Sequence, residues 1–255
     1  MAADSEYVIW FEDPRAKAAV VGGKNGSLGE MVRALQPFGI RVPGGFATTV
    51  EAYRRFVAFN GLTEPVRSCL DELSRQRSTL QDVGGAIRDL FFKSRFPPEL
   101  EGAVRRAYRD LCRRYDAEAA DVAVRSSATA EDLPGASFAG QLESFLNVVG
   151  EDAVLGACRR CYASLFTDRA ISYREQKGFE HMKVAVSVGV QKMVRSDKAG
   201  AGVMFSIDTE TGFRNVAVIN AAWGLGESVV QGTVIPDEYV VDRASRPGRR
   251  DDDER

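Results

Sequence analysis

The sequence predicts an α+β fold with mixed or antiparallel sheets, and three observations carry that expectation. Amphipathic helical patterns fill much of the first 120 residues, whereas short strand patterns gather later. The connections between strands are long and do not repeat a strand–helix–strand unit, which argues against a parallel sheet. The stretch 202–221, GVMFSI–DTETGFR–NVAVINA, reads as two strands joined by a polar turn.

Residues 7–11, YVIWF, form the first predicted strand. In the stretch 20–36, Gly22 and Gly23 precede Lys24, and Ser27 with Glu30 has the spacing of a capping box. Leu28, Met31, Val32 and Leu35 then supply an apolar stripe. This places Lys24 on a loop just before a helix N-terminus, where free amides and the helix dipole favour an anion. The GxxxxGK[ST] spacing of a P-loop is absent, and the same residues also read as a surface lysine after a turn. Pro43, Gly44 and Gly45 make a turn, and Thr48 or Thr49 caps a helix over 50–60. Further helices are predicted over 64–75, 80–92 and 99–115, the last opened by Pro97 and Pro98 with Leu100, Val104, Tyr108 and Leu111 on one face.

The stretch 122–148, VAVRSSATAEDLPGASFAGQLESFLNV, is the densest in chemistry. A strand over 122–124 delivers Arg125 at its end. Ser126, Ser127 and Thr129 follow, then the acids Glu131 and Asp132, a loop over 134–140 and an alternating segment over 143–148. Backbone amides freed by small side chains, beside a guanidinium, suit a polyphosphate. The stretch therefore reads as half of a nucleotide site, with Arg125 paired to Glu131 or Asp132 as the structural alternative. One or two helices are expected over 151–176, strands over 184–194 (with Gln191 near its end) and 238–241, and a disordered charged tail over 242–255.

Composition narrows the function classes. With 44% hydrophobic and 27% charged residues, the chain has the balance of an ordinary soluble globular protein. A formal net charge of −2 supplies no bulk attraction to nucleic acid or an anionic membrane, so a phosphate ligand must be held by local charge. No apolar run approaches the ~18 residues of a membrane span, and the N-terminus lacks the basic start of a secretion signal, so the expected location is the cytoplasm. Cys158 and Cys161 form a CxxC inside a helical pattern without a second CxxC or a nearby histidine, which reads as two small helix residues.

In order along the chain, VGGKNGSLGEM, VPGGFATT, AVRSSATAEDLPGASFAGQ, ASLFTDRAISYR, VGVQKMVRSDKAGAGVMFSID and AWGLGESVVQG resemble one family. It is the N-terminal nucleotide-binding module of phosphoenolpyruvate synthase (pyruvate, water dikinase), which pyruvate, phosphate dikinase and rifampin phosphotransferase share. The resemblance covers residues 7–241. It implies an ATP-grasp fold lacking its C-terminal portion, with one subdomain of about 1–120 plus 195–241 and a second of 121–194. It implies ATP as ligand and Mg2+ as companion. In the reaction, ATP gives a pyrophosphoryl group to a histidine on a swivelling domain, hydrolysis leaves AMP and phosphate, and the phosphohistidine phosphorylates pyruvate.

By motif position, Lys24 and Arg125 would bind the ATP phosphates. The loop from Gly135 to Gly140 would cover them, with Gly140 and Ser144 near the nucleotide. Gln191 would approach the base, or simply end a strand. Glu227 would orient a phosphate ligand or support the sheet. The family's acidic magnesium ligand, its QARPE-like segment and its phosphohistidine domain have no counterpart here. The sequence holds one histidine, His181, which reads as a loop or surface residue. Glu131, Asp132, Asp208 and Glu227 are available acids whose spacing does not single out a metal site. The expectation is a truncated phosphoenolpyruvate synthase module that does not turn over alone; the alternatives are the ATP module of a rifampin phosphotransferase or other dikinase, or a split or regulatory nucleotide-binding protein that docks on separately encoded phosphohistidine and pyruvate domains. An open clamp is also expected to leave apolar surface uncovered.

Overall fold

The segment VSVGVQK makes a strand with two unlike faces, and the fold is built around it. Val186, Val188 and Val190 alternate with Ser187, Gly189 and Gln191, so one face is wholly apolar and the other small or polar. The computed structural model of the chain describes residues 4–129 and 143–243. Within the first of two compact units, Met1–Met193, this strand is the centre of a five-stranded sheet of order β1-β2-β5-β3-β4. The strands are β1 (Val8–Trp10), β2 (Gly45–Thr48), β3 (Val122–Ala128), β4 (Ser144–Val148) and β5 (Val186–Lys192). All neighbours run antiparallel.

The valine face carries the main core. Val122 and Val124 join Val186, Val188 and Val190 there, all at 0% exposure, and helices α3 (Val50–Phe59), α5 (Leu80–Lys93), α6 (Pro98–Arg114) and α7 (Glu151–Ala163) supply the facing residues. Each fully buried side chain of this kind contributes about 1.5–3 kcal/mol. A cluster of Tyr53, Phe56, Phe91, Phe96, Tyr162 and Phe166 fills the helical layer, in edge and stacked contacts. Leu100, Val104, Tyr108 and Leu111 are buried together, as their spacing predicts. Thr49 caps α3 by accepting from the Ala52 amide at 3.1 Å, and Pro98 opens α6. The pattern over 151–176 resolves into α7, a 3-10 turn at Ser164–Phe166, and α8 (Asp168–Lys177). Cys158 and Cys161 lie on the buried face of α7 as free thiols. A helical turn α1 (Asp4–Tyr7) and helix α4 (Thr63–Ser74) complete the unit's helices on that side of the chain order.

The opposite face is covered by α2 (Ala18–Leu35). Ile9, Phe11, Ala47 and Val21 form a small second core there, with Leu28 and Val32 packed against it. Met31 of the predicted stripe is exposed instead.

Two sequence expectations shift here. The helix does not begin at Ser27: it starts at Ala18, breaks at Gly22 (φ 73°, ψ 163°) and resumes at once, which puts Lys24 in its first resumed turn rather than on a preceding loop. Residues 121–194 share their sheet with strands from 1–120 and cluster with them, so the division falls at Met193 and does not set 121–194 apart.

The second unit, Val194–Arg255, holds a three-stranded antiparallel sheet. Its strands are β6 (Gly200–Phe205), β7 (Val216–Trp223) and β8 (Asp237–Asp242), with a short helix α9 (Gly226–Val230). Met204, Trp223, Tyr239 and Val241 are exposed, and the pairing register sets them on one sheet face. Asp242 and Arg243, expected in the tail, are tied to the sheet: the Arg243 amide donates to the Asn215 carbonyl at 2.8 Å. The rest of the predicted tail lies outside the described residues.

Candidate functional site

Residues directly opposed in an antiparallel ladder point to the same face. The register therefore draws one row across the α2 face of the sheet: Ile9, Ala47, Gly189, Arg125 and Ser144. Its first two members are apolar and lie under α2. Its last two are exposed. Gln191 and Ala123 are paired one step along, and Ser187 and Ser127 one step the other way. The same face thus carries Arg125, Ser144 and Gln191, flanked by small residues.

Arg125 sits in the middle of β3, not at a strand end, because Ser126, Ser127 and Ala128 continue the ladder with β5. Its guanidinium is exposed and makes no ion pair among the described residues. Glu131, Asp132, Gly135 and Gly140 lie outside the described residues. Gln191 has a structural partner: its Nε2 donates to the Pro43 carbonyl at 3.0 Å, fastening the turn before β2 to the central strand.

The helical turn that carries Lys24 is fixed to this face through the packing of α2. Gly22 comes so close to β3 that a Cβ there would lie 2.4 Å from the Ser127 carbonyl oxygen. A side chain is excluded on that ground and by the positive φ. The backbone amide of Asn25 donates to Ser127 Oγ at 3.4 Å, and its Nδ2 donates to Ser187 Oγ at 3.0 Å. The exposed Lys24 is therefore held on the first turn of a helix whose amide end abuts the strands bearing Arg125 and Gln191. A helical turn that carries an ammonium, packed on a strand that carries a guanidinium, is chemistry that suits an anion with several oxygens.

Glu227 belongs to the second unit. It is exposed on α9, where its Oε1 accepts from Gln231 Nε2 at 2.9 Å. Asp208 closes its own turn, accepting from the Glu210 amide at 2.9 Å and the Thr211 hydroxyl at 2.5 Å. Among the described residues no group of three His, Cys, Asp or Glu is placed to hold a metal.

The structure adds two features that sequence reasoning missed. One is the buried Asn25, whose signal was only a polar residue within a glycine-rich stretch. The other is Arg174, fully buried on α8, with Nε donating to His181 Nδ1 at 2.9 Å. His181 is accordingly a half-buried partner rather than a surface residue. Burial, then the Arg174 charge, pushes its pKa down to about 4. Burial also lowers that of Arg174 to about 10.

The profile of the family described as "Pyruvate phosphate dikinase, AMP/ATP-binding domain" matches residues 18–252. The chain is 53% identical to the phosphoenolpyruvate synthase of Aquifex aeolicus (strain VF5), over 92% of this chain and 28% of that protein. It is 54% identical to the phosphoenolpyruvate synthase of Escherichia coli (strain K12), over 96% of this chain and 31% of that one. A probable phosphoenolpyruvate synthase of Staphylothermus marinus is 46% identical, over 94% of this chain and 28% of its own length. The chain thus spans a little under a third of the length of these relatives.

Proposed function

The chain belongs to the family of the pyruvate phosphate dikinase AMP/ATP-binding domain, and on that premise we propose that it binds ATP as the nucleotide module of a phosphoenolpyruvate synthase. The observation that carries the reading is the shared sheet face, on which the α2 turn with Lys24 meets the strands with Arg125, Ser144 and Gln191. Lys24 supplies a point charge and Arg125 a planar fork to the phosphates. Gln191 lies toward the base. Glu227 orients a phosphate ligand or supports the sheet of the second unit. In this reading the module has an ATP-grasp-like fold.

Phosphoryl transfer relies chiefly on positioning and charge neutralisation, and these are what the described residues offer. Magnesium would accompany the triphosphate, and among the described residues no cluster of ligands fits it. The one histidine in the sequence, His181, is engaged by buried Arg174 and does not serve as the phosphoryl carrier. In this reading the phosphoryl-carrying histidine and the pyruvate site are outside residues 1–255. The four free thiols suit the reducing cytoplasm.

Calorimetric titration of the chain with ATP and magnesium tests the reading. Micromolar binding is expected, with no phosphoenolpyruvate formed when pyruvate is added. Absence of ATP binding at millimolar concentration would overturn the nucleotide assignment. Phosphate incorporated on His181 would overturn the division of labour.

A further inference from the structure

Asn25 is 4% exposed and all of its polar groups face specific neighbours. Its Nδ2 donates to the Val21 carbonyl and to Ser187 Oγ, each at 3.0 Å. A carbonyl can only accept, so the amide nitrogen is on that side and Oδ1 is on the other. Oδ1 lies over Gly189: a Cβ built there would sit 2.2 Å from it, and the three nearest atoms to that Cβ all belong to Asn25. The hydrogen bonds continue through the sheet. Ser187 Oγ donates to the Thr48 carbonyl at 2.6 Å, and Thr48 Oγ1 accepts from the Val188 amide at 3.0 Å. Val21 is the last residue before the break at Gly22, so the carboxamide clamps both sides of the break to the central strand.

We propose that Asn25 is a positioning residue for Lys24, and that Gly189 is glycine in order to admit its carboxamide. The inference rests on the nucleotide reading above and deepens it. The carboxamide sets the height and rotation of the resumed helical turn over the strands. Gly189 is also the direct cross-strand partner of Arg125. One contact therefore references both phosphate-binding cations to the same point of the sheet. Loss of the clamp leaves Lys24 and Arg125 in the chain but no longer in fixed register.

The test is a set of double-mutant cycles. Gly189→Ala introduces a methyl compatible with an extended strand, so its cost should come from Asn25. It should lower the unfolding midpoint clearly in the parent and much less in an Asn25→Ala background; an equal loss in both overturns the contact. In nucleotide titrations at a temperature where every variant is folded, Asn25→Ala and Gly189→Ala should each weaken ATP about tenfold, the scale of a lost buried hydrogen bond. AMP should be weakened less, because only the phosphate end depends on Lys24. Asn25→Ala should add nothing to Lys24→Ala. Equal losses for ATP and AMP, or full additivity with Lys24→Ala, would overturn the positioning role. Unchanged ATP affinity in the variants removes this role and leaves the nucleotide reading standing, whereas a parent that binds no ATP removes both.

Discussion

Arg125 stands directly opposite Gly189 in the pairing of the two central strands. On its other side it faces Ser144 across the β3–β4 pair. Its cross-strand neighbours are thus a residue with no side chain and one with a small hydroxyl, and Arg125 is exposed.

Arg125→Ala is expected to weaken ATP binding by ~1–3 kcal/mol, the range for a charge-assisted hydrogen bond. Arg125→Lys should recover part of that loss, since it restores the charge without the planar fork. Because the side chain is exposed, neither change should shift the thermal midpoint appreciably. Titration calorimetry beside a melting curve checks both statements, and ATP affinity equal to the parent's in the alanine variant would show that Arg125 is not a phosphate ligand.

His181 should make the fold sensitive to mild acid. Its folded pKa lies near 4, below the ordinary 6.5, because burial and then Arg174 disfavour the charged ring. The unfolded chain takes up the proton first. Stability is therefore unaffected by this group above pH 6.5, falls between 6.5 and about 4, and loses nothing further below that. After allowance for the ring's partial exposure, the loss is about 1–2 kcal/mol. His181→Asn keeps an acceptor for Arg174 and removes the titration, so denaturant unfolding of the variant should be flatter across that window. Parallel pH profiles would rule the assignment out.

Thiol chemistry should follow burial. Desolvation pushes the Cys158 thiol up to about 12 and that of Cys161 well above its usual value. Cys112 is buried too, whereas Cys69 is half-buried. At mildly alkaline pH a thiol reagent should label Cys69 quickly in the native chain and the other three only on unfolding. Rapid native labelling of the CxxC, or its co-purification with zinc, would contradict the packed-helix reading.

Tyr108 ties three segments together. Its hydroxyl accepts from the Gly150 amide at 2.8 Å and donates to the Ala120 carbonyl at 2.7 Å. Tyr108→Phe removes both bonds and leaves two backbone groups to find other partners. A stability loss of ~1–3 kcal/mol is expected in denaturant titration, and a change within error would mean water replaces the hydroxyl at no cost.

Much of this was legible along the chain because it is local. Thr49 as a cap, Pro98 as a helix opener and the Leu100, Val104, Tyr108 and Leu111 stripe follow from spacings within a few residues. Arg125 was recognisable as a candidate, but not its place in mid-strand: Ser126 and Ser127 look like loop residues until β5 offers them a ladder. The start of α2 was misjudged for a similar reason. Gly22 and Gly23 signal a break, yet the break is tolerated inside one helical run because the backbone there packs on Ser127.

The sequence by itself determined most of the elements, the α+β class and the chemical inventory of the proposed phosphate site, since helix periodicity, capping and charge are properties of neighbouring residues. Only the tertiary structure decided which of those residues share a face. Cross-strand register set Arg125 beside Gly189 and Ser144, and the Asn25 carboxamide brought the Lys24 turn down onto the same strand. It likewise drew Arg174 and His181 into one buried pair. Such juxtapositions depend on contacts between segments far apart in the chain, as with Asn25 and Ser187, or on burial that no short window of sequence reveals.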